Sequence, residues 1–268
     1  MVKTEIIDIT PEIANGFLSR NSKNRHINHK RVDELAREMS EGRFQFNGDT
    51  IRIDADGEML DGQHRCHACV KAGVSFRSIV VTGLERSVMP TIDQHSKRTG
   101  GHVLQILGVN NANATAAVAR HSAGIANGDL RSTRVSATEL LEILAAHPDI
   151  EKSASRTRKS FPKCGTMLGA IHYIASFLGK TEDAEAFVSV WETGVPHYSG
   201  CAAHVARERA MRSNSSSTNK MTSTDLMKMI IGAWNNFEKR APVSKAYIPA
   251  DPKIKGWSIG ELKRPEAF

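Results

Sequence analysis

Two Asp-Gly pairs, Asp56-Gly57 and Asp61-Gly62, place two sharp changes of chain direction close together in this sequence. Residues 50–54 and 58–60 flank the first pair and carry the apolar side chains of two strands joined by a tight turn. The second pair ends the second strand, and residues 63–72 then favour a helix that Gly73 stops. The segment is therefore expected to form a β-hairpin followed directly by a helix.

The chain around this segment is expected to alternate strands with helices as far as residue 99. Strands are expected at residues 4–9 and 78–82, a turn at Thr10-Pro11, a basic loop at residues 19–30, and helices at residues 29–41 and 85–94. The first of these helices has one apolar stripe at helical spacing, formed by Val32, Leu35, Ala36 and Met39. Residues 1–99 are thus expected to fold as a small domain with a mixed sheet.

Beyond residue 99 the pattern becomes helical, and no strand is expected. Helices are expected at residues 112–127, 136–146, 165–178, 182–193, 200–212 and 224–239. The clearest start is a capping box from Ser136 to Glu139. The fold class is therefore α+β, with a mixed-sheet domain at 1–99, an all-helical domain at 100–240, and an irregular, proline-containing C-terminal tail at 241–268.

Charge, cysteine content and the length of the apolar runs restrict what kind of protein this chain can be. The chain has 268 residues, a formal net charge of +7 and only four cysteines, too few and too scattered for a disulfide framework. No apolar run approaches the roughly 20 residues that span a bilayer, and the N-terminus lacks a secretion signal. We expect a cytoplasmic protein with no membrane partner and with some attraction for phosphate-bearing partners.

The residues Asp61-Gly62-Gln63-His64-Arg65 carry the strongest chemical signal. The first backbone N–H groups of a helix have no partner within it and carry partial positive charge, so a helix start attracts anions. Gly62 allows a ligand close to the backbone, and His64 and Arg65 add side-chain donors that suit a phosphate. Asp61 could orient a hydroxyl or hold a divalent metal. The alternative is an ordinary helix start, capped by Asp61, with His64 and Arg65 in solvent.

The same region resembles the ParB/sulfiredoxin fold family. The resemblance covers NRHI, the helix ending LAREMSEGRF, then FNGDTIRID and EMLDGQHRCHACVKAG. In ParB-like proteins the equivalent turn holds nucleotide phosphates, and in sulfiredoxins it holds ATP. The DGQHR form is similar to the one in DndB-type proteins of DNA phosphorothioation systems and in phage and prophage ParB-like proteins, whose helical C-terminal half the rest of this chain resembles more weakly.

The resemblance implies a nucleoside triphosphate ligand, ATP or CTP. A Mg²⁺ ion could accompany the nucleotide, and Asp61 would then hold it. Asp61, His64 and Arg65 are then the candidate catalytic residues, should phosphoryl chemistry occur. The candidate phosphate-binding residues are Gly62, Gln63, His64, Arg65, Asn24, Arg25, Asn47, Lys97 and Arg98. Arg25 belongs to the family's Asn-Arg pattern, and Lys97 and Arg98 match a late segment that closes over the phosphates.

Departures from the family exclude some of its activities. Sulfiredoxins carry their nucleophilic cysteine immediately before His-Arg, and this chain has Gln63 there. A glutamine cannot act as a thiolate, and Cys66 is displaced along the helix, so sulfiredoxin activity is not expected. The helix-turn-helix and dimerising arm of ParB are not recognisable either, which argues against plasmid partition.

Weaker patterns have a structural and a functional interpretation. His64, Cys66, His67 and Cys69 suggest zinc, but Cys66 and Cys69 fit the buried stripe of a helix better, and zinc is not expected. The basic residues between positions 22 and 31, called the basic cluster below, could contact DNA phosphates through Lys23, Lys30 and Arg31. The alternative is a solvated loop. Large aromatic residues of the helical half are expected in its core: Tyr173, Phe187, Trp191, Trp234 and Phe237.

The leading hypothesis is that the protein binds a nucleotide and acts in the DNA biology of a phage or mobile element. The nucleotide could also be hydrolysed or donate a phosphoryl group. One alternative is a non-catalytic DNA-binding regulator. The other is a metal-dependent ParB-like nuclease, which needs clustered carboxylates, and near the motif the sequence offers only Asp54, Asp56, Glu58 and Asp61. The sequence leaves open the base, the phosphate acceptor and the oligomeric state.

Overall fold

A computed structural model describes residues 1–21, 24, 26–92, 99–130, 135–161, 164–215 and 220–260 of the chain. Two compact units divide it, Met1–Lys97 and Arg98–Phe268. The first combines a sheet with helices, and the second is helical, so the protein has a mixed α+β architecture as expected.

The first unit is built on a four-stranded mixed sheet with the order β1-β4-β2-β3. Its strands are β1 Lys3–Ile9, β2 Thr50–Asp54, β3 Met59–Asp61 and β4 Phe76–Leu84. Strand β4 runs antiparallel to β1 and parallel to β2, while β2 and β3 form the predicted antiparallel hairpin. Parallel neighbours need a crossover connection, and the chain between β2 and β4 makes it through β3 and a helix.

Among its described residues, the first unit also has three α-helices and a short 3₁₀ helix: α1 Pro11–Leu18, α2 His29–Ser40, α3 Gln63–Ala72 and the 3₁₀ helix Arg86–Thr91. Helices α1 and α2 both pack against α3. Their apolar sides meet one face of the sheet in a core that includes Ile9, Leu35, Ile51, Cys66 and Val80. The predicted positions of α2 and α3 are confirmed to within a residue or two.

Helix α1 corrects the prediction of a simple turn at Thr10-Pro11. The side chain of Thr10 accepts a hydrogen bond from the backbone N–H of Ile13 at 3.3 Å, which is an N-cap, and Pro11 occupies the first position of the helix. Proline is well tolerated there because the first helical N–H has no partner within the helix. Threonine followed by proline is thus a helix start here as well as a change of direction.

The second unit contains eight helices among its described residues and no strand there. They are α4 Gly100–Ile106, α5 Ala112–Asn127, α6 Ala137–Ala146, α7 Ile150–Thr157, α8 Gly165–Phe177, α9 Thr181–Thr193, α10 Ala202–Ser215 and α11 Ser223–Glu238. Helix α8 is central, with all residues from Met167 to Ala175 buried. The six predicted helices are confirmed, including the capping box at Ser136. The sequence did not predict α4, which opens on two glycines, or α7.

Residues 241–260 form no helix or strand, yet they pack against the helices of the second unit. Ile254 and Trp257 are buried in its core. The indole N–H of Trp257 donates to the carbonyl of Ser122 at 2.9 Å, and Nε2 of His147 lies 3.0 Å from the carbonyl oxygen of Ile259. This part of the expected tail therefore belongs to the folded unit. The predicted core aromatic residues are buried as expected: Tyr173, Phe187, Trp191, Trp234 and Phe237.

Among the described residues, the helices are all too short or too polar to pass through a lipid bilayer.

Candidate functional site

The start of α3 is built on Gly62, which is the N-cap residue and has a φ of 106°. A Cβ at this position would lie 2.9 Å from Cγ1 of Ile51 on the neighbouring strand, so space and backbone conformation both require glycine. The predicted passage from strand through Gly62 into a helix is confirmed. Asp61 does not cap the helix: its Oδ1 accepts from the N–H of the next residue, Gly62, at 2.7 Å.

Two guanidinium groups surround the carboxylate of Asp61. Its Oδ2 lies 3.3 Å from Nη1 of Arg52 and 3.5 Å from Nη2 of Arg65. Nη2 of Arg65 also donates to the carbonyl of Thr50 at 2.5 Å, and only 12% of the Arg65 side chain is exposed. With two positive groups and one negative, the cluster keeps a positive charge. Arg65 is therefore held beside the strand rather than extended into solvent.

Gln63 is buried and ties the start of α3 to the loop before α2. Its Oε1 accepts from Nδ2 of Asn21 at 3.1 Å, and its Nε2 donates to Oδ1 of Asn24 at 3.3 Å. Nδ2 of Asn24 in turn donates to the carbonyl of Leu60 at 3.4 Å. The structure thus brings the predicted residues Asn24 and Gln63 together. Their amide groups orient the loop around the helix start.

His64 joins the start of α3 to the start of α2. Its Nε2 accepts a hydrogen bond from the backbone N–H of Asn28 at 3.1 Å. Asn28 is the N-cap of α2, because its Oδ1 accepts from the N–H of Arg31 at 3.2 Å. Further along, Nζ of Lys71 on α3 pairs with Asp33 on α2 at 2.5 Å. The two helices therefore lie side by side in the same direction, with both N-termini at the same end.

The other predicted residues divide into three groups. Lys30 and Arg31 are exposed in the first turn of α2, and Nη1 of Arg31 pairs with Glu34 at 2.7 Å. Asn47 is exposed, and its Oδ1 accepts from the N–H of Asp49 at 2.9 Å, which makes a local turn. In the described part of the chain, Asn47 has no hydrogen bond to the start of α3. Lys23, Arg25, Lys97 and Arg98 lie outside the described residues.

Cys66 and Cys69 belong to the buried side of α3, as the sequence predicted. Both are fully buried, and burial raises the pKa of Cys66 to about 12 and that of Cys69 to about 11. A thiol with such a pKa is protonated at neutral pH and is a poor nucleophile or metal ligand. Within the described ranges, no group of three or more His, Cys, Asp or Glu side chains is arranged to hold a metal ion.

Asp54, a carboxylate considered for a nuclease, stabilises the hairpin turn. Its Oδ1 accepts from the N–H groups of Asp56 at 3.0 Å and Glu58 at 2.8 Å, and its Oδ2 pairs with Arg86 at 3.0 Å. Burial alone would raise the pKa of Asp54, but these hydrogen bonds and the Arg86 charge bring it below its usual value. Asp54 is therefore an ionised carboxylate whose acceptor oxygens serve the turn.

Sequence reasoning missed Arg52, Asn28 and Arg86. The signal for Arg52 was present, since residues 50 and 52 share one face of β2, and the hairpin register places Arg52 opposite Asp61. Nothing in the sequence indicated that the N–H of Asn28 would meet His64, because that hydrogen bond depends on how α2 packs on α3.

The chain matches no protein-family model, and no curated protein or solved structure shows significant similarity to it.

Proposed function

We propose that the first unit binds the phosphate groups of a nucleoside triphosphate at the paired N-termini of α2 and α3, as a ParB/sulfiredoxin-like domain would. The observation that carries the proposal is the hydrogen bond from the N–H of Asn28 to Nε2 of His64, which holds the two helix starts together. Each helix start contributes about half a positive charge and N–H groups that have no partner within the helix. Two such ends at one place attract an anion more strongly than either alone.

Arg65 supplies the side-chain charge of this site. Both of its hydrogen bonds with described residues use Nη2, which fixes the guanidinium against Thr50 and Asp61. A guanidinium has five N–H donors, and a phosphate can accept two of them in parallel. Arg52 shares the neutralisation of Asp61, so the Arg65 charge is not fully cancelled. A fixed cation loses little conformational freedom when the ligand arrives.

The arrangement of Gly62 and Gln63 favours phosphate binding over thiol chemistry. Gly62 places the backbone at the helix start without a Cβ. Gln63 stands where a sulfiredoxin would carry its cysteine, and it is buried and hydrogen-bonded to the loop. The nucleotide would act as a switch or, with Asp61 orienting a nucleophile or Mg²⁺, as a phosphate donor in DNA-related biology of a phage or mobile element. In phosphoryl transfer, positioning and electrostatics supply most of the catalysis.

DNA binding is the second candidate function. The observation that favours it is the exposure of Lys30 and Arg31 in the first turn of α2, next to the helix start that His64 contacts. Useful non-specific binding needs several cations along a phosphate backbone. Lys23 would add a third cation to Lys30 and Arg31. Glu34 already pairs with Arg31 and would weaken its contribution.

Titration calorimetry with ATP, CTP, GTP and UTP, each with and without Mg²⁺, tests the leading proposal. The variant is Arg65→Gln, which removes the charge and keeps a polar side chain. The matched control is Arg77→Gln, which breaks an exposed ion pair with Asp8 in the same unit. We expect wild type and Arg77→Gln to bind at least one nucleotide and Arg65→Gln to bind about tenfold or more weakly. Equal affinity in a folded Arg65→Gln, or no binding by wild type, would overturn the proposal.

A further inference from the structure

Arg120, on helix α5 of the second unit, is a partly buried arginine without a counter-charge among the described residues. No hydrogen bond or ion pair joins it to any residue in the part of the chain that the structure describes. Other buried or partly buried arginines have acceptors within reach: Arg43 with Glu38, Arg86 with Asp54, Arg156 with Glu185 and Glu192, and Arg207 with Glu208 and the carbonyl of Trp191. Arg120 departs from that rule.

The guanidinium of Arg120 lies where α4, α5 and α6 meet. Its Nη1 is 3.7 Å from the position that a Cβ on Gly100 would occupy, and Cδ2 of Leu140 is 2.8 Å from the same position. A side chain at residue 100 would therefore press against α6 and reach the guanidinium. The bare backbone of Gly100 lies near the cation, and the apolar Leu140 lies near the same glycine. Neither provides a charge that could balance it.

Burial lowers the pKa of Arg120, and no carboxylate of the described residues opposes that effect. The next residue, His121, is affected in the same way: burial, and then the charge of Arg120, lower its pKa to about 4. His121 is therefore neutral at pH 7. Arg120 and His121 thus carry one positive charge between them at pH 7, and no described carboxylate compensates it.

An unpaired charge taken out of water destabilises a protein, and an apolar residue of similar size would be more stable at the same place. We propose that Arg120 is an anion-binding residue, whose guanidinium binds a phosphate group where α4, α5 and α6 meet. The planar guanidinium donates two parallel hydrogen bonds to such a group. This inference concerns the second unit and does not rest on the function proposed for the first.

All three tryptophans of the chain, Trp191, Trp234 and Trp257, belong to the second unit, so tryptophan fluorescence follows the unfolding of that unit alone. The experiment is urea unfolding, followed by this signal, in rising inorganic phosphate at constant ionic strength. A ligand that binds only the folded state raises the midpoint in a saturable way. The variants are Arg120→Gln and Arg120→Met. The matched control is Arg212→Gln, which removes an exposed arginine of the same unit. Arg65→Gln separates the response from the site in the first unit.

We expect phosphate to raise the midpoint of wild type, Arg212→Gln and Arg65→Gln, and to act on Arg120→Gln with an affinity at least about tenfold lower. Without phosphate, Arg120→Met should unfold at the same or a higher urea concentration than wild type. A wild-type phosphate response in Arg120→Gln would overturn the proposal. So would an equal effect of acetate on wild type, or failure of both Arg120 variants to fold.

Duplex DNA distinguishes the two sources of a phosphate group. If Arg120→Gln loses the response to inorganic phosphate and also binds labelled duplex DNA more weakly, the phosphate belongs to a nucleic-acid backbone. If the phosphate response is lost and DNA affinity stays at the wild-type value, the ligand is a small phosphate compound. If DNA affinity falls in Arg120→Gln and in Arg212→Gln to the same degree while the phosphate response is unchanged, the effect is general surface charge and the proposal fails.

Discussion

His64 and Asn28 join two helices at their N-terminal ends: Nε2 of the imidazole accepts a hydrogen bond from the backbone N–H at 3.1 Å. The bond holds the N-termini of α2 and α3 next to each other. It also means that His64 serves here as an acceptor, with its proton on Nδ1, rather than as a second cationic donor beside Arg65. The imidazole organises the backbone around the proposed phosphate site.

His64→Ala is expected to lower the stability of the first unit by about 1 kcal/mol, since it removes one hydrogen bond from a backbone donor. It should also weaken nucleotide binding, because α2 is no longer fixed against the start of α3. Far-UV circular dichroism in urea measures the first effect, and calorimetry the second. His26→Ala, at an exposed position of the same unit, is the control. Nucleotide affinity equal to wild type would show that the paired helix starts do not form the site.

Gly62→Ala should destabilise the first unit more than Gly73→Ala does. Both glycines have positive φ, 106° and 65°, and alanine costs about 1–2 kcal/mol of backbone energy in the left-handed helical region where Gly73 lies, and more at the wider φ of Gly62. Only at Gly62 would the new Cβ also meet Ile51, which adds about 1–3 kcal/mol of overpacking. Urea midpoints from far-UV circular dichroism compare the two variants. Equal losses would mean that the close approach of β2 to the helix start is absent in solution.

The buried thiols predict a loss of stability at alkaline pH. Burial raises the pKa of Cys66 from 9.0 to about 12 and that of Cys69 from 9.0 to about 11. The folded state therefore keeps protons that the unfolded state releases, so stability is full below about pH 9 and falls as the pH rises from there toward the folded-state pKa values. Urea midpoints of the first unit at pH 7 to pH 10 test this, with Cys66→Ala as the variant that should show a smaller decline. A decline of the same size in the variant would assign the effect to other groups.

Trp257→Ala is expected to destabilise the second unit by about 3–5 kcal/mol, as for other buried aromatic residues. Trp257→Phe should cost less, because it keeps an apolar ring and loses mainly the hydrogen bond to the Ser122 carbonyl. Tyr247→Ala, whose side chain is 59% exposed, is the control from the same segment. Fluorescence of the remaining tryptophans in urea gives the midpoints. An effect of Trp257→Ala no larger than that of Tyr247→Ala would contradict the packing of residues 241–260.

DNA affinity, if the second candidate function holds, should depend on the basic cluster rather than on Arg65. Replacing Lys23, Lys30 and Arg31 together by glutamine should flatten the slope of log affinity against log salt by about 0.9 for each phosphate that is no longer neutralised. Because Arg31 pairs with Glu34, we expect its share to be the smallest. Duplex DNA binding is compared with that of Arg65→Ala. If only Arg65→Ala weakens it, the start of α3 is itself the DNA site.

The sequence predicts the strand, turn and helix around Gly62 well, because two Asp-Gly pairs and Gly73 restrict the backbone locally. It also predicts α5 and α6, because periodicity and capping indicate them. It fails at α1, where Thr10-Pro11 serves as a turn signal and a helix start alike, and at α4, which opens on glycines that disfavour helices in isolation. The hydrogen bonds of the candidate site are a different matter. The bond between His64 and Asn28 depends on how α2 packs on α3, and the bond between Arg65 and Thr50 on how α3 packs on β2; no local pattern encodes either.

The burial of Ile254 and Trp257 in the core of the second unit has a consequence for synthesis on the ribosome. A nascent chain can complete the first unit while most of the helices are still untranslated, and domains generally fold in that order. The second unit cannot close its core until the residues around Trp257 have left the exit tunnel. Until then, the surfaces of α5 and α8 that this segment covers stay open to chaperones. Slow translation of the codons that follow residue 257 would prolong that exposure.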